Sequence, residues 1–457
     1  MSAPGRHRGA RPGARLAIWG GAGAGVLIAA AVAVPALTGW NVRVRWFPPL
    51  HAEWLPRVGP ATAVAIALGV LAIVFGDRIA TRLSWRMLQP LVFSAALGWL
   101  LSLALVDGLD GIGSILNHRY EYLGTAREIT DFGATLREYV SRIPYSSPDN
   151  WPVHIAGHPP GALLFFYVLV RIGLGSGLAA GVVVTVIGVT IPVAVLGTMR
   201  TLGAETFARR AAALLVFGPA AIWVAVSGDG MFAAVAAWGI WALAHAARAA
   251  DRRAMAAWSV LAGLLLGYCV MLSYGLPLLG VLAVAVLIAG RSWRPLPIAA
   301  GAALAVVLAF AAAGFAWWEA FPVLHQRYWD GVASRRPPEY WLWGNLAAFA
   351  ISAGPMVGAS LAAAIGTAAR SRDRTAVPER EHLGIRTALL LTLAGWAMVL
   401  VADLSGMSRA EVERIWLPFV PWALLGLSLY SGRVRRAALA VQIVFAIVVQ
   451  TLLQTGW

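Results

Sequence analysis

The sequence predicts an all-α fold: a polytopic transmembrane helical bundle of about 13 spans, with interfacial amphipathic helices in its first long outer loop. Of the 457 residues, 60% are hydrophobic and 12% are charged, whereas soluble domains carry roughly 25% charged and about 45–50% apolar residues. The mean hydropathy is +0.73, so lipid must cover much of this apolar surface. Cys269 is the single cysteine, which excludes a fold held by intramolecular disulfides.

Arginine clusters predict the orientation of the spans. The net charge is +15, and the chain contains arginine but no lysine. The arginines fall in short groups between apolar runs, which is the pattern of cytoplasmic loops. Nucleic-acid binding needs basic side chains on one solvated face, so this distribution argues against it. We predict a multi-pass cell-membrane protein with a cytoplasmic N-terminus and cytoplasmic arginine groups at 6–15, 78–86, 200–210, 248–253, 291–294, 370–386 and 433–436.

The apolar runs divide the chain into three parts. Residues 1–106 form a predicted N-terminal three-span segment, with spans at 16–38, 59–76 and 87–106. Residues 107–176 form an outer loop, in which the short apolar run 159–174 is predicted to be half-inserted or interfacial. Residues 177–457 form the main transmembrane bundle, with predicted spans at 177–198, 210–226, 230–247, 255–273, 275–290, 295–316, 342–368, 387–403, 414–431 and 437–454.

The middle of the outer loop is predicted to be helical. Between Tyr120 and Val140, apolar or aromatic residues recur at three-to-four spacing, with charged residues on the other face. Helices of this kind lie on a membrane rather than across it. The acidic side chains here have two interpretations: a solvated cap that stabilises the bundle, or a reaction chamber at the boundary between water and lipid.

Asp229 is the most informative single residue. It lies between two apolar runs, beside Ser227, Gly228 and Gly230. A carboxylate at the end of a span is costly unless it is solvated, paired or bound to a metal, and such residues are often functional. The alternative is a structural helix cap. His158 is a weaker signal, since a histidine before two prolines can simply begin a helix.

Four stretches in order along residues 107–430 carry a family resemblance. They are His158-Pro159-Pro160-Gly161 with the apolar run that follows it, Gly218-Pro219 to Asp229, Ala262-Gly263 to Tyr274, and Glu413-Arg414 to Pro421. In this order they resemble the GT-C superfamily of membrane glycosyltransferases, specifically its protein O-mannosyltransferase and lipid A aminoarabinose transferase-like group.

The resemblance implies a glycosyltransferase that uses a polyprenyl-phosphate sugar donor. Such an enzyme moves the sugar to a glycan, lipid or protein acceptor on the extracytoplasmic face. A carboxylate would take the proton of the acceptor hydroxyl, a step worth about 10²–10⁴-fold in rate. The family's acidic pair in the first outer loop falls on His118-Arg119 here, so the base is expected among the nearby Asp110, Glu121 and Asp107, with Asp110 favoured and Glu121 second. With Asp229, the predicted catalytic residues are Asp110, Glu121 and Asp229.

The donor phosphate is predicted to contact arginine. The family lysine of the third stretch is Ser273 in this chain, and arginine can bind phosphate in bidentate fashion. The aromatic residues around 317–343 fit either an interfacial belt or a surface that stacks on a sugar or grips an isoprenoid tail. The predicted substrate-binding residues are His158, Tyr274, Arg327, Arg335, Arg336, Glu413 and Arg414.

Two further questions stay open at the level of sequence. No metal-ligand spacing is evident and no cofactor is certain, although a divalent metal ion held by Asp229 and a loop carboxylate is compatible with the sequence. The alternative function is a transporter or flippase for a lipid-linked or anionic substrate. Transporters place ionisable residues near the bilayer midplane and often have duplicated halves, and neither feature is evident here. A structural membrane scaffold is the third hypothesis.

Overall fold

The computed structural model describes residues 13–370 and 379–455. Over these residues the protein is an all-α polytopic bundle, as predicted. Nine described helices are long and apolar enough to cross a membrane, and one further pair passes the same test as a bent span. The arginines at 6, 8, 11, 372 and 374, which entered the prediction of orientation, lie outside the described residues.

The membrane-length helices account for most of the bundle. They are Ala14–Thr38, Pro60–Arg82, Trp85–Asp107, Gly177–Thr201, Gly228–Arg248, Arg252–Leu272, Pro295–Ala312, Glu381–Leu404 and Gly432–Leu452, with Pro338–Ser352 and Met356–Arg370 as the bent pair. The shorter α-helices are Asp110–Gly113, Tyr122–Glu128, Phe132–Glu138, Val153–Ala156, Gly161–Arg171, Glu205–Val216, Ala221–Val224, Leu279–Gly290, Trp317–Asp330, Val412–Ile415 and Val420–Ala423. Short 3-10 helices are formed by Leu105–Asp107, Ile115–Asn117, Leu276–Leu278, Val332–Arg335 and Leu425–Leu429.

The described residues contain fewer membrane-length helices than the predicted number of about 13 spans, because three predicted spans are broken or short. The run 210–226 is divided between Glu205–Val216 and Ala221–Val224, with Gly218-Pro219 between them. The run 275–290 forms a helix below spanning length, and 414–431 is a series of short turns. Proline removes a backbone donor and clashes with the preceding helical turn, which explains the breaks.

The predicted span 342–368 is bent rather than continuous. Its two helices meet at 101°, and the turn uses Gly354, whose φ is +83°. Gln442 satisfies the broken backbone, since its Nε2 donates to the Ala353 carbonyl at 2.6 Å and its Oε1 accepts from the Met356 N–H at 3.3 Å. One buried amide side chain therefore stabilises both sides of the bend.

The outer loop folds against the bundle as short helices. The predicted helix over 120–140 is two helices, Tyr122–Glu128 and Phe132–Glu138. Asp131 caps the second, because its Oδ1 accepts from the Ala134 N–H at 3.1 Å. Tyr122 and Tyr139 are buried, so this segment faces protein. The run 159–174 forms Gly161–Arg171, which is too short to span.

The two ends of the bundle have different chemistry. At one end, a common cavity is lined by residues at or near the ends of four spanning helices, namely Trp85, Thr201, Arg248 and Ala254. We call this the arginine-rich end. The opposite end carries the outer loop and a three-stranded antiparallel sheet of Trp46–Phe47, Leu50–Trp54 and Leu453–Thr455, in which Trp46 pairs with His51 and Ala52 with Thr455.

Candidate functional site

Arg414 is the centre of a buried network of charged and polar side chains. Its Nη1 lies 3.2 Å from Asp229 Oδ2 and 3.8 Å from Glu121 Oε1. Its Nη2 lies 2.8 Å from His154 Nε2 and 3.6 Å from Glu411 Oε2. The side chains of Arg414, Asp229, Glu121 and His154 are less than 10% exposed, while that of Glu411 is 26% exposed. We call these five residues the Arg414 cluster.

The start of the spanning helix Gly228–Arg248 positions Asp229. Ser227 is the cap residue, since its hydroxyl oxygen accepts from the N–H groups of Asp229 and Gly230 at 3.1 and 3.4 Å. The carboxylate of Asp229 is therefore free of the capping role and pairs with Arg414. Gly230 lets the helix start close to its neighbour, because a Cβ there would lie 2.3 Å from the Val224 carbonyl oxygen.

His154 connects Arg414 to Glu121. Because the guanidinium can only donate, Nε2 of His154 accepts its hydrogen bond, and Nδ1 then carries the proton toward Glu121 Oε1 at 2.9 Å. Burial alone would raise the pKa of Glu121, but the hydrogen bond from His154 and the charge of Arg414 outweigh it and lower that pKa. Glu121 is therefore ionised within the protein.

His158 and Tyr122 extend the network toward the Gly161–Arg171 helix. The His158 Nδ1 lies 2.8 Å from the His154 carbonyl oxygen and 2.8 Å from the Tyr122 hydroxyl. The carbonyl oxygen can only accept, so Nδ1 carries the proton and Nε2 keeps its lone pair. Burial lowers the pKa of His158, and burial with the nearby charge of Asp229 raises that of Tyr122 well above its ordinary value. Both groups are therefore neutral.

A cavity of about 550 Å³ opens beside the Arg414 cluster. Its polar wall includes His154, His158, Arg336, Glu411 and Arg414. Its other wall is apolar and aromatic, including Leu278, Phe419 and the aromatic trio Tyr274, Trp317 and Phe321.

The aromatic trio is packed ring against ring. Trp317 and Phe321 stack with ring centroids 5.2 Å apart, and Tyr274 lies 5.6 Å from Trp317. The hydroxyl of Tyr274 is buried and has no hydrogen-bond partner in the described part of the chain. A polar group in this state is available to a molecule in the cavity.

The candidate phosphate-binding arginines differ in what surrounds them. Arg336 lines the cavity, donates to the Arg409 carbonyl and to His51 Nε2, the latter at 3.1 Å, and lies 3.7 Å from Glu411. Arg327 also lines the cavity, but its guanidinium donates to the carbonyls of Ile143 and Trp151. Arg335 is exposed and is not part of the cavity wall.

The remaining predicted carboxylates lie in different surroundings. Asp110 lines a separate cavity of about 180 Å³ with Arg57 and Asp107, so the structure does not bring it to Arg414. Its catalytic role stays a prediction. Glu413 is buried, with 1% of its surface exposed. The structure thus brings the predicted residues Glu121, Asp229, His158, Tyr274, Arg327, Arg336 and Arg414 to the Arg414 cluster or its cavity.

Sequence reasoning did not single out three residues of this site. His154 lies four residues before His158, a spacing that places two side chains on one helix face, and this signal was available. Glu411 lies three residues before Arg414, but its backbone is left-handed at φ +63°, so helical spacing does not predict its position. His51 had no such signal, because the short sheet brings it to Arg336 from a distant part of the chain.

The positions of the possible ligand side chains bear on whether this site could hold a metal ion. Among residues 13–370 and 379–455, no group of three or more His, Cys, Asp or Glu side chains is arranged to hold a metal ion. Where the sequence allowed a divalent ion at Asp229, the structure places the guanidinium of Arg414 against that carboxylate.

Comparisons with known proteins give one likeness and two negative results. No family model matches the chain, and no curated protein matches it. Among solved structures, the chain is similar to the crystal structure of the Archaeoglobus fulgidus oligosaccharyltransferase in complex with Zn and sulfate, with 14% identity and a TM-score of 0.46. The match covers 80% of this chain and 53% of that chain, so this protein spans about half the length of its structural neighbour. The function therefore has to be argued from the residues of this chain.

Proposed function

We propose that this protein is a membrane glycosyltransferase that moves a sugar from a polyprenyl-phosphate carrier to a glycan, lipid or protein acceptor at the extracytoplasmic face. One observation carries the proposal: a single cavity joins the Glu411 carboxylate and several guanidinium groups to an apolar aromatic wall at the ends of spanning helices. A lipid-linked sugar needs both surfaces, because its tail is apolar and its phosphate and sugar are polar.

The two walls of the cavity suit the two parts of the donor. The prenyl chain lies against Tyr274, Trp317 and Phe321, where its apolar surface is removed from water. The phosphate binds between Arg336 and Arg414, whose N–H groups form charge-assisted hydrogen bonds with phosphate oxygens. The resemblance seen in the sequence predicted both arginines as donor ligands, and this geometry supports them.

Glu411 is the carboxylate that we assign to the acceptor. It is the most exposed acid of the Arg414 cluster, and its oxygens lie 3.6 and 3.7 Å from Arg414 and Arg336, beyond good hydrogen-bonding distance. Burial opposes its ionisation, but the charges of Arg414 and Arg336 outweigh this and lower its pKa. A donor phosphate that binds these two arginines weakens that effect, which raises the pKa of Glu411 and makes it a stronger base.

The transfer step follows from this placement. The acceptor oxygen forms a bond to the anomeric carbon while the bond from that carbon to the phosphate oxygen breaks. The electron pair leaves with the phosphate, whose charge is stabilised by Arg336 and Arg414. Glu411 takes the proton of the acceptor hydroxyl. Glu121 and Asp229 keep Arg414 in place by ion pairing, and His154 links the arginine to Glu121.

A transfer assay in membranes tests the proposal. Vesicles containing the full chain receive undecaprenyl-phosphate hexoses or pentoses with a radiolabelled sugar, and label is followed from the lipid extract into glycan, protein or a second lipid. We expect Glu411→Gln to reduce transfer about 10²–10⁴-fold at unchanged protein level. Glu128→Gln removes a charge from an exposed outer-loop residue and is expected to retain full transfer.

Two results would contradict this function. Transfer by Glu411→Gln at the wild-type rate would remove the base from the scheme. Movement of labelled lipid between leaflets of proteoliposomes, without sugar transfer to any acceptor class, would favour the flippase hypothesis instead.

A further inference from the structure

A second large cavity lies at the arginine-rich end of the bundle. It has a volume of about 680 Å³ and is walled by Trp85, Trp238, Trp241 and Trp258, with His245, Gln89, Arg200 and Arg248. Trp238 and Trp241 belong to the helix Gly228–Arg248, whose other end carries Asp229. A helix of 21 residues is about 30 Å long, so the two cavities are separate sites.

The aromatic rings of this cavity form a joined wall. The ring centroid of Trp241 lies 5.0 Å from Trp238, 4.4 Å from His245 and 5.1 Å from Trp258, and His245 stacks on Trp258 at 4.8 Å. Gly197 permits the packing, because a Cβ there would lie 2.7 Å from Trp241 Nε1. An interfacial aromatic belt faces lipid, whereas these rings contact one another around a space.

Two arginine side chains line the cavity. Arg200 lies over the Trp85 ring at 4.8 Å and is paired with Glu205 at 3.0 Å. Arg248 lines the same cavity and forms no ion pair with any described residue. The cavity wall contains no acidic side chain, so an anionic group entering it meets the guanidinium of Arg248, an exposed residue at the rim.

Gln89 adds a requirement for a hydrogen-bond donor. Its Oε1 is buried and lacks a hydrogen-bond partner within the described residues, and the residue lines the cavity. Leaving a buried acceptor without a partner is unfavourable, and a ligand hydroxyl would satisfy it. A ligand that matched all of these side chains would be anionic, hydroxylated and partly apolar.

We propose that this cavity binds a hydroxyl-bearing phosphate ester, with the phosphate at Arg248 and a hydroxyl at Gln89. Two sources share this chemistry, namely the headgroup of a glycerophospholipid and a free glycerol phosphate. The position among the ends of four spanning helices, with indole rings as walls, favours the lipid. This site is independent of the proposed sugar transfer.

Native mass spectrometry of the detergent-purified full chain tests the site. One arm adds dioleoyl phosphatidylglycerol, the second adds dioleoyl phosphatidylcholine, and the third adds sn-glycerol 3-phosphate without lipid. We expect phosphatidylglycerol to be retained at least about tenfold more tightly than phosphatidylcholine, and Arg248→Gln to remove this preference. Gln89→Leu, which keeps the charge, is expected to weaken binding in the same direction.

Arg433→Gln is the matched control. Arg433 is exposed at the start of Gly432–Leu452 and lies outside the cavity, so the same loss of charge there is expected to leave binding unchanged. Binding of glycerol 3-phosphate that is sensitive to Arg248→Gln also supports the site and identifies a soluble source. Equal retention of the two phospholipids, or equal losses in Arg248→Gln and Arg433→Gln, would overturn the proposal.

Discussion

Arg414 is the residue on which the candidate site depends. It is buried and contacts Asp229, Glu121 and Glu411. Burial opposes its charge, but the three carboxylates outweigh this and raise its pKa above the ordinary arginine value. A guanidinium in this position places one positive charge among three acids in a buried site. Removing it takes the arginine partner from Asp229 and Glu121, while Glu411 keeps Arg336 at 3.7 Å.

Arg414→Gln is therefore expected to destabilise the protein by about 3–5 kcal/mol, the usual cost of breaking a buried ion pair from one side. Thermal unfolding in detergent measures the loss. Arg335→Gln removes the same charge from an exposed residue and is expected to change stability by less than about 0.5 kcal/mol. Adding Asp229→Asn to Arg414→Gln should recover part of the loss, and failure to recover any would contradict the pairing.

The acid side of the stability profile depends on Glu121 and Glu411. The pKa of each is lowered in the folded protein, in both cases because arginine and histidine partners outweigh the effect of burial. Their ionisation thus stabilises the fold above the unfolded glutamate pKa of about 4.3, and this contribution is lost as the pH falls through the lowered folded values.

We expect the unfolding temperature in detergent to fall steeply below about pH 4. The double variant Glu121→Gln and Glu411→Gln should show a shallower decline over the same range, while Glu128→Gln should follow the wild type. An acid decline of equal steepness in the double variant would show that these two carboxylates do not control it.

At the scale of elements, the bend between Pro338–Ser352 and Met356–Arg370 is a break in a span that specific residues stabilise. Gly354 adopts a left-handed φ of +83°, and a Cβ there would lie 2.1 Å from Gln442 Oε1. A side chain at this position is strained and also displaces the amide that satisfies Ala353 and Met356.

Gly354→Ala is expected to destabilise the protein by more than about 1 kcal/mol, because alanine is disfavoured at positive φ. Gly301→Ala is the matched control. Gly301 lies inside Pro295–Ala312, and a Cβ there has no atom within 4 Å, so alanine should be neutral or stabilising by about 0.5–1 kcal/mol. Thermal unfolding of both variants compares the two sites, and equal stabilities would refute the role of the bend.

At the scale of the molecule, the sequence predicted the helical bundle and part of the site. Composition and apolar run length are sufficient for spanning helices, and Asp229 was evident because a carboxylate beside an apolar run is costly. The breaks at Pro418 and Pro421 were not predicted, since hydropathy averages over a window and ignores the missing backbone donor.

The pairing of distant residues also lay beyond the sequence. Asp229 and Arg414 are separated by 185 positions and Glu121 lies in another segment, so their meeting depends on packing between helices. Residues that are close in sequence can also be separated in the fold. Asp110 lies only eleven positions before Glu121, yet it lines a different cavity. The sequence predicted Arg336 and Arg414 among four candidate arginines, but not Glu411, whose position depends on a left-handed backbone at φ +63°.

A structure of the full chain with bound undecaprenyl phosphate, solved by electron cryomicroscopy in a lipid nanodisc, tests the shared cavity most directly. The proposal predicts phosphate density within hydrogen-bonding distance of Arg336 and Arg414, with the prenyl chain along Tyr274, Trp317 and Phe321. It also predicts that Glu411 has moved away from both guanidinium groups. Prenyl phosphate bound only outside this cavity, with the Arg414 cluster unchanged, would contradict the account.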